Sequence, residues 1–228
     1  VVFSHDGKMI ASGSVDKTVK LWGLNGRTLQ EYKHESWVNS VVFSPDGKTI
    51  ASGSDDNTAR IWDLNGNSLK EIKHDDCVSS VVFSPEGQLI ASGSDDCTVK
   101  LWDLNGALLQ EIKHDDWVTS VAFSPDGKTI ASGSGDHIVT IWDLKGSPLK
   151  KFKHTDWVNS VAFSPNGQYI ASGSEDKTVR LLKTPKYYRV RSMNTFLLGK
   201  FDNNNPIGRF FNNDLFDYNM PGLIASYL

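Results

Sequence analysis

The residues of this chain whose types could do chemistry are a histidine, a serine and an aspartate that recur together. One such set is His34, Ser52 and Asp56. These three residue types form the catalytic triad of nucleophilic acyl transfer. In that triad the histidine takes the proton of the serine, and the aspartate orients the histidine. The residue types alone therefore raise the hypothesis of a serine hydrolase.

The repetition of the set argues against catalysis, because an active site occurs once. Ser52 also lies inside "ASGS", in the middle of an expected strand, whereas a nucleophilic serine of this kind stands on an exposed turn. We therefore expect a structural role, no catalytic residue, and a protein that is not an enzyme. The other sets are His74, Ser92 and Asp96, then His114, Ser132 and Asp136, and finally His154, Ser172 and Asp176.

The spacing of "ASGS" shows how the chain is organised. The motif begins at Ala11, Ala51, Ala91, Ala131 and Ala171, so the period is 40 residues without an insertion. Self-similarity at a fixed period of this size indicates a repeat architecture.

Each copy predicts four strands. Short segments rich in Val, Ile, Phe and Trp alternate with Pro-Asp-Gly and Asn-Gly turn signals. In the second copy the predicted strands are Val38–Ser44, Thr49–Ser54, Thr58–Asp63 and Ser68–Lys73. A small sheet that is apolar on both faces cannot bury itself, so the copies must stack, and radial stacking gives a propeller.

Composition excludes several classes of protein. The net charge of −3 carries no polybasic signature of nucleic-acid binding. No apolar run approaches the roughly 20 residues that span a bilayer, so we expect no membrane partner. Cys77 and Cys97 are too few for a disulfide framework, which favours a reducing, cytoplasmic location, with one disulfide between them as the alternative. The chain opens inside a repeat without Met, and we expect a fragment of a longer chain.

The pattern "His … Ser-Gly-Ser-x-Asp-x-Thr … Trp-Asp" recurs in register across residues 1–183. In this the chain resembles the WD40-repeat β-propellers, in the bacterial, cyanobacterial style of long tandem repeats. The resemblance implies an all-β fold of about five four-stranded antiparallel blades, in an open or truncated ring. Exposed blade ends would favour self-association. The copies are residues 1–40, 41–80, 81–120, 121–160 and the partial 161–183, followed by an irregular tail, 184–228, in which "KYYRVRSM" is a candidate closing strand.

The resemblance also implies a hydrogen-bonded tetrad in each blade, in which a tryptophan joins the histidine, serine and aspartate. Its indole N–H would donate within the network, and Trp62, Trp102 and Trp142 match that place, whereas Leu182 occupies it in the last copy. Lysines precede the histidines where the family usually has glycine, which predicts strain if that position needs a positive φ. These lysines are Lys33, Lys73, Lys113 and Lys153.

In the family, the loops that carry "HDDW" and "SDD" lie on one rim, which often binds peptides. Aromatic rings beside acids suit an Arg or Lys side chain, through cation–π contacts and charge-assisted hydrogen bonds. The alternative is that the rings pack at the blade edge and the acids are solvated turn residues. The expected partner-binding rim consists of Trp37, Cys77, Trp117, Trp157, Asp55, Asp95 and Glu175.

The favoured function is a non-catalytic scaffold that binds a protein or peptide on this rim. One alternative is a purely structural or multivalent repeat array without a ligand site. Another is the sensor arm of a larger ATPase- or kinase-type signalling protein, as the resemblance implies. We expect no cofactor and no metal, because the sequence has no Walker loop, HExxH, paired CxxC or EF-hand loop.

Overall fold

The computed structural model describes residues 1–185, in which nineteen strands form five antiparallel sheets of consecutive strands. The first sheet contains β1 (Val2–Phe3), β2 (Met9–Gly13), β3 (Thr18–Gly23) and β4 (Thr28–Lys33). The second contains β5 (Val38–Phe43), β6 (Thr49–Ser54), β7 (Thr58–Asp63) and β8 (Ser68–Lys73). The third contains β9 (Val78–Phe83), β10 (Leu89–Ser94), β11 (Thr98–Asp103) and β12 (Leu108–Lys113).

The fourth and fifth sheets follow the same plan, although three strands are described for the fifth. The fourth contains β13 (Val118–Phe123), β14 (Thr129–Ser134), β15 (Ile138–Asp143) and β16 (Pro148–Lys153). The fifth contains β17 (Val158–Phe163), β18 (Tyr169–Ser174) and β19 (Val179–Lys183). The prediction of an all-β fold built from one blade per copy is confirmed.

The predicted strands of the second copy differ from the observed ones at one end. The first strand ends at Phe43, because Ser44 already belongs to the turn. Its hydroxyl donates to Asp46 at 2.7 Å and accepts the N–H of Thr49 at 3.0 Å. Gly47, at φ 68°, completes the turn in a conformation that favours glycine.

Neighbouring sheets pack through the second and third strands of one and the first strand of the next. Val139 and Ile141 share a buried cluster with Val158 and Val161 of the fifth sheet. Gly133 permits this approach, because a Cβ there would lie only 2.7 Å from the Val158 Cγ1 atom. The first strands are also joined directly, since the hydroxyls of Ser40, Ser80 and Ser120 accept the N–H groups of Val81, Val121 and Val161.

The two end sheets present faces that the described residues do not cover. Val179 is 63% exposed, whereas Val139 at the same place in the fourth sheet is fully buried. No heavy atom lies within 4 Å of a Cβ built on Gly173. At the other end Phe3 is exposed, whereas Phe43 is buried. Residues 1–185 therefore form an open propeller.

Backbone strain does not fall where the resemblance suggested. Lys33 and its counterparts end the fourth strands in extended backbone. The non-glycine residues with a positive φ lie instead in the hairpin turns between the second and third strands, directly after the tetrad aspartate. The position that needs a left-handed backbone is therefore in this turn. These residues are Lys17, Asn57, Cys97, His137 and Lys177.

The described part of the chain ends in contact with the fifth sheet. The N–H of Thr184 donates to the Gln168 carbonyl at 3.0 Å, and its hydroxyl donates to the Gly167 carbonyl at 2.9 Å. The remainder of the predicted irregular tail, residues 186–228, lies outside the described residues, and with it the candidate closing strand "KYYRVRSM". Within residues 1–185 the structure has no helix long and apolar enough to cross a bilayer.

Candidate functional site

The structure brings the four residues of the first complete set together. His34 follows β4 and points its ring at the second sheet, where Nδ1 lies 2.8 Å from Asp56 and Nε2 lies 2.7 Å from the Ser52 hydroxyl. Trp62 donates its indole N–H to the same hydroxyl at 2.8 Å. A buried polar group without a partner costs about 1–3 kcal/mol, so this closed network favours one arrangement of the strands.

The other sets have the same geometry with two departures. In the fourth sheet His114 lies 3.0 Å from Asp136. The Thr58 hydroxyl donates to Asp56 at 2.5 Å in the second sheet, but Ile138 stands at the matching place in the fourth sheet and has no hydroxyl. In the fifth sheet the buried Leu182 replaces the tryptophan. The remaining bonds are His74 to Asp96 (2.8 Å) and Ser92 (2.7 Å), Trp102 to Ser92 (2.9 Å), His114 and Trp142 to Ser132 (2.7 Å each), and His154 to Asp176 (2.8 Å) and Ser172 (2.9 Å).

Each histidine connects two sheets. The backbone N–H of His34 donates at 2.9 Å to the carbonyl of Lys17, in the left-handed turn of the first sheet, while its ring bonds to the second sheet. His74, His114 and His154 do the same with the carbonyls of Asn57, Cys97 and His137. Each histidine therefore links one sheet to the next through hydrogen bonds, and this link was not predicted from the sequence.

The serine hydroxyl has no access to a substrate. Ser52 is completely buried, its Oγ accepts the Trp62 indole N–H, and the His34 ring occupies its other side. A serine nucleophile needs an open face next to an oxyanion site. The geometry supports a structural network at this position.

In every described sheet except the fourth, where Thr140 stands at the place, the aspartate also lies near a cation that was not predicted from the sequence. Arg60 Nη2 lies 3.6 Å from Asp56, and Lys100 Nζ lies 3.6 Å from Asp96. Lys20 and Arg180 lie at the same place in the first and fifth sheets. The sequence did contain a signal for this contact, because a Lys or Arg stands four residues after the aspartate in four of the five copies.

The networks favour the charged form of the aspartates and the neutral form of His34 and His74. Burial would raise the pKa of Asp56, but hydrogen bonds from Thr58, the Glu35 N–H and His34 outweigh it and lower that pKa to about 2. The pKa of Asp96 is likewise lowered to about 2. Burial also lowers the pKa of His34 and His74, against the opposing effect of their aspartates.

We expect the fold to lose stability on acidification. The unfolded chain binds more protons than the folded one, first at His34 and His74 near pH 6.5 and then at Asp56 and Asp96 near pH 3.8. The free energy of unfolding therefore falls as the pH is lowered. Full protonation of Asp56 or of Asp96 would cost at most roughly 2 kcal/mol each. Urea unfolding between about pH 8 and pH 3 tests this. A midpoint that does not change over this range would contradict it.

The predicted rim residues lie directly before the first strands, as the tryptophans and Cys77 do, or directly after the second strands, as the acids do. Trp37, Trp117 and Trp157 remain 54, 36 and 44% exposed, and Cys77 occupies the same place before the third sheet. These three tryptophans and Cys77 are each bonded to the residue that precedes the tetrad aspartate of the same sheet. The backbone N–H of that residue donates to the carbonyl of the tryptophan or cysteine at 2.9 Å. These pairs are Asp55 with Trp37, Asp95 with Cys77, Gly135 with Trp117, and Glu175 with Trp157.

Side chains on the first strands hold the rim acids in place. Asn39 donates to Asp55 at 2.6 Å, Ser79 to Asp95 at 2.7 Å, and Asn159 to Glu175 at 2.6 Å. Burial, together with the charges of Asp76 and Asp55, raises the pKa of Asp95 in spite of the Ser79 bond. A cation near this part of the rim would relieve that repulsion.

The two cysteines are free thiols. Burial and the nearby Asp55 carboxylate raise the pKa of Cys77 to about 12, so this thiol stays protonated. A cytoplasmic location stays a prediction. Within residues 1–185, no three His, Cys, Asp or Glu side chains are grouped so that they would hold a metal ion.

Comparison with known families identifies the repeats. A family model described as WD domain, G-beta repeat matches residues 1–23, 26–63, 66–103, 106–143 and 146–182. A search of curated proteins found no match. WD40 repeats generally mediate protein–protein interaction or scaffolding, and their domains are typically non-catalytic. Because the five matches cover most of its length, the chain belongs to the WD40-repeat family.

Proposed function

We propose that this chain is a non-catalytic scaffold whose rim binds a protein or peptide that carries basic side chains. The rim is the set of seven residues predicted from the sequence. The observation that carries the proposal is the exposure of three indoles on a rim whose acids Asp55 and Glu175 are held in place by side-chain hydrogen bonds.

The interface physics of these side chains supports the proposal. Tryptophan is enriched among the residues that dominate binding energy. A single exposed apolar side chain needs no explanation, but Trp37, Trp117 and Trp157 stand at one place in three blades. The acids add charge complementarity toward Arg or Lys, which favours on-rate and specificity.

A peptide selected from a random displayed library against the whole chain tests the proposal. The double variant Trp117→Ala/Trp157→Ala is expected to weaken binding of that peptide at least about tenfold, because two anchoring rings are removed. Selected peptides should be rich in Arg and Lys. The measurement is the Kd by calorimetry, together with the urea midpoint, which should change little because both rings are exposed.

The matched control is Lys48→Ala/Lys128→Ala. Both lysines lie in the turns between the first and second strands of their sheets, which are exposed loops away from the tetrad turns. This variant should bind the peptide like the unmodified chain. An unchanged Kd for the tryptophan variant would contradict the rim as the binding surface.

The uncovered end faces favour a second activity, self-association. Val179 and Leu181 are exposed in the fifth sheet, although their counterparts in the other sheets pack against a neighbouring sheet. Burial of such apolar area is the main favourable term in association. The expected result is a light-scattering mass that rises with concentration above 25.3 kDa. A constant monomer mass would exclude this second activity.

A further inference from the structure

One rim position differs from its counterparts in a way that changes the shape of the surface. The residue before the tetrad aspartate has a side chain in the other four copies, where it is Val15, Asp55, Asp95 or Glu175, but it is Gly135 in the fourth sheet. Gly135 is buried, because the Trp117 indole lies directly over it. A Cβ on Gly135 would lie 2.6 Å from the Trp117 Cδ1 atom, so any side chain there would displace the ring.

The position of Trp117 allows a second indole to pack on it. The ring centroids of Trp117 and Trp157 are 5.1 Å apart and their planes are at 76°, an edge-to-face pair between the fourth and fifth sheets. Both rings remain exposed. Gly135 therefore creates a two-ring aromatic surface, which we call the indole pair.

Three carboxylates belong to the segments that carry the indole pair or bond to them. Asp116 and Asp156 each accept the N–H of the following tryptophan through Oδ1, at 2.8 and 2.9 Å. Glu175 accepts from Asn159 through Oε1, and its backbone N–H donates to the Trp157 carbonyl. In each case a hydrogen bond to one carboxylate oxygen anchors the acid on the rim.

We propose that the indole pair binds a single arginine side chain of the partner and that Gly135 determines this specificity; the inference rests on the proposed function. A planar guanidinium stacks on an indole face while its N–H groups donate to the neighbouring carboxylates. A lysine ammonium, as a compact and strongly hydrated charge, combines these two contacts less well. Exposed aromatic area and negative charge are both complementary to arginine.

The probe is a short glycine–serine peptide with one central arginine, and its control is the same peptide with the neutral isostere citrulline. Titration of the whole chain is followed through the indole N–H resonances in a nitrogen–proton NMR spectrum. The arginine peptide should shift the resonances of Trp117 and Trp157 and leave that of Trp37 in place. Citrulline should bind about tenfold more weakly or not at all, since it has no charge.

The variant Gly135→Val separates the indole pair from the rest of the rim. Valine stands at this position in the first copy, as Val15, and adds no charge. It is expected to displace Trp117 and to lower affinity for the arginine peptide about tenfold. An unchanged chemical shift of the other tryptophans will show that the variant is folded.

Three results would overturn the inference: equal binding of the citrulline peptide, unchanged affinity of Gly135→Val, or shifts of Trp37 as large as those of the pair. If the arginine peptide causes no shifts while a library-selected peptide still needs the rim tryptophans, this inference fails and the proposed function stands. If neither peptide needs the rim, both fail.

Discussion

Replacing Asp96 with alanine is expected to lower the free energy of unfolding by about 3–5 kcal/mol, the largest effect of any single change considered. The Asp96 carboxylate accepts from His74 at 2.8 Å, from the Thr98 hydroxyl at 2.6 Å and from the Asp75 N–H at 3.1 Å. It also lies 3.6 Å from Lys100, which is itself buried. Without it, a buried ring and a buried cation lose their partner, and both are costly to leave unpaired.

The neighbouring carboxylate provides a matched control. Asp95 accepts one side-chain bond, from Ser79, and its pKa is raised, so the folded state disfavours its charge. Asp95→Ala should change the free energy of unfolding by less than about 1 kcal/mol. Urea unfolding followed by tryptophan fluorescence measures both variants. Equal losses would show that the tetrads contribute no special stability.

The second large effect is expected at the contacts between sheets. A Cβ on Gly133 would lie 2.7 Å from Val158 Cγ1 and 3.2 Å from Val161 Cγ1. Gly133→Ala should therefore destabilise the fold by about 1–3 kcal/mol, the usual cost of overpacking a filled core. The same urea measurement detects this loss.

Gly173 is the matched position in the fifth sheet, where nothing lies within 4 Å of an added Cβ. Gly173→Ala should leave stability within about 1 kcal/mol of the unmodified chain, since only the backbone entropy changes. A loss as large as that of Gly133→Ala would mean that another sheet or a second copy covers this face. The pair of variants thus tests whether the described propeller is open.

The repeat made most of the fold predictable. The fixed position of "ASGS" and the turn signals define every strand of the second copy to within one residue, because turn chemistry is local. The resemblance also indicated which histidine, serine, aspartate and tryptophan the structure would bring together. The hydrogen bonds that link one sheet to the next could not be predicted from the sequence. They depend on where the His34 backbone lies relative to the left-handed Lys17.

The candidate site was less predictable, since it depends on contacts between copies. A count of tryptophans at one place in the repeat identified Trp117 and Trp157 but not their packing. Gly135 was visible as a departure from Asp55 and Asp95, yet its effect on the Trp117 ring needs the three-dimensional path of both segments. Local patterns thus define the blades, and contacts between blades define the surface.

Hydrogen exchange of the whole chain, with and without a saturating library-selected peptide, tests the central claim that recognition occurs on the rim. The account predicts that protection on binding falls on the segments that end at Trp37, Cys77, Trp117 and Trp157 and on the adjoining hairpin turns. The opposite turns, such as residues 45–48 and 125–128, should exchange as before. Protection confined to those turns or to the outer fourth strands would contradict the account.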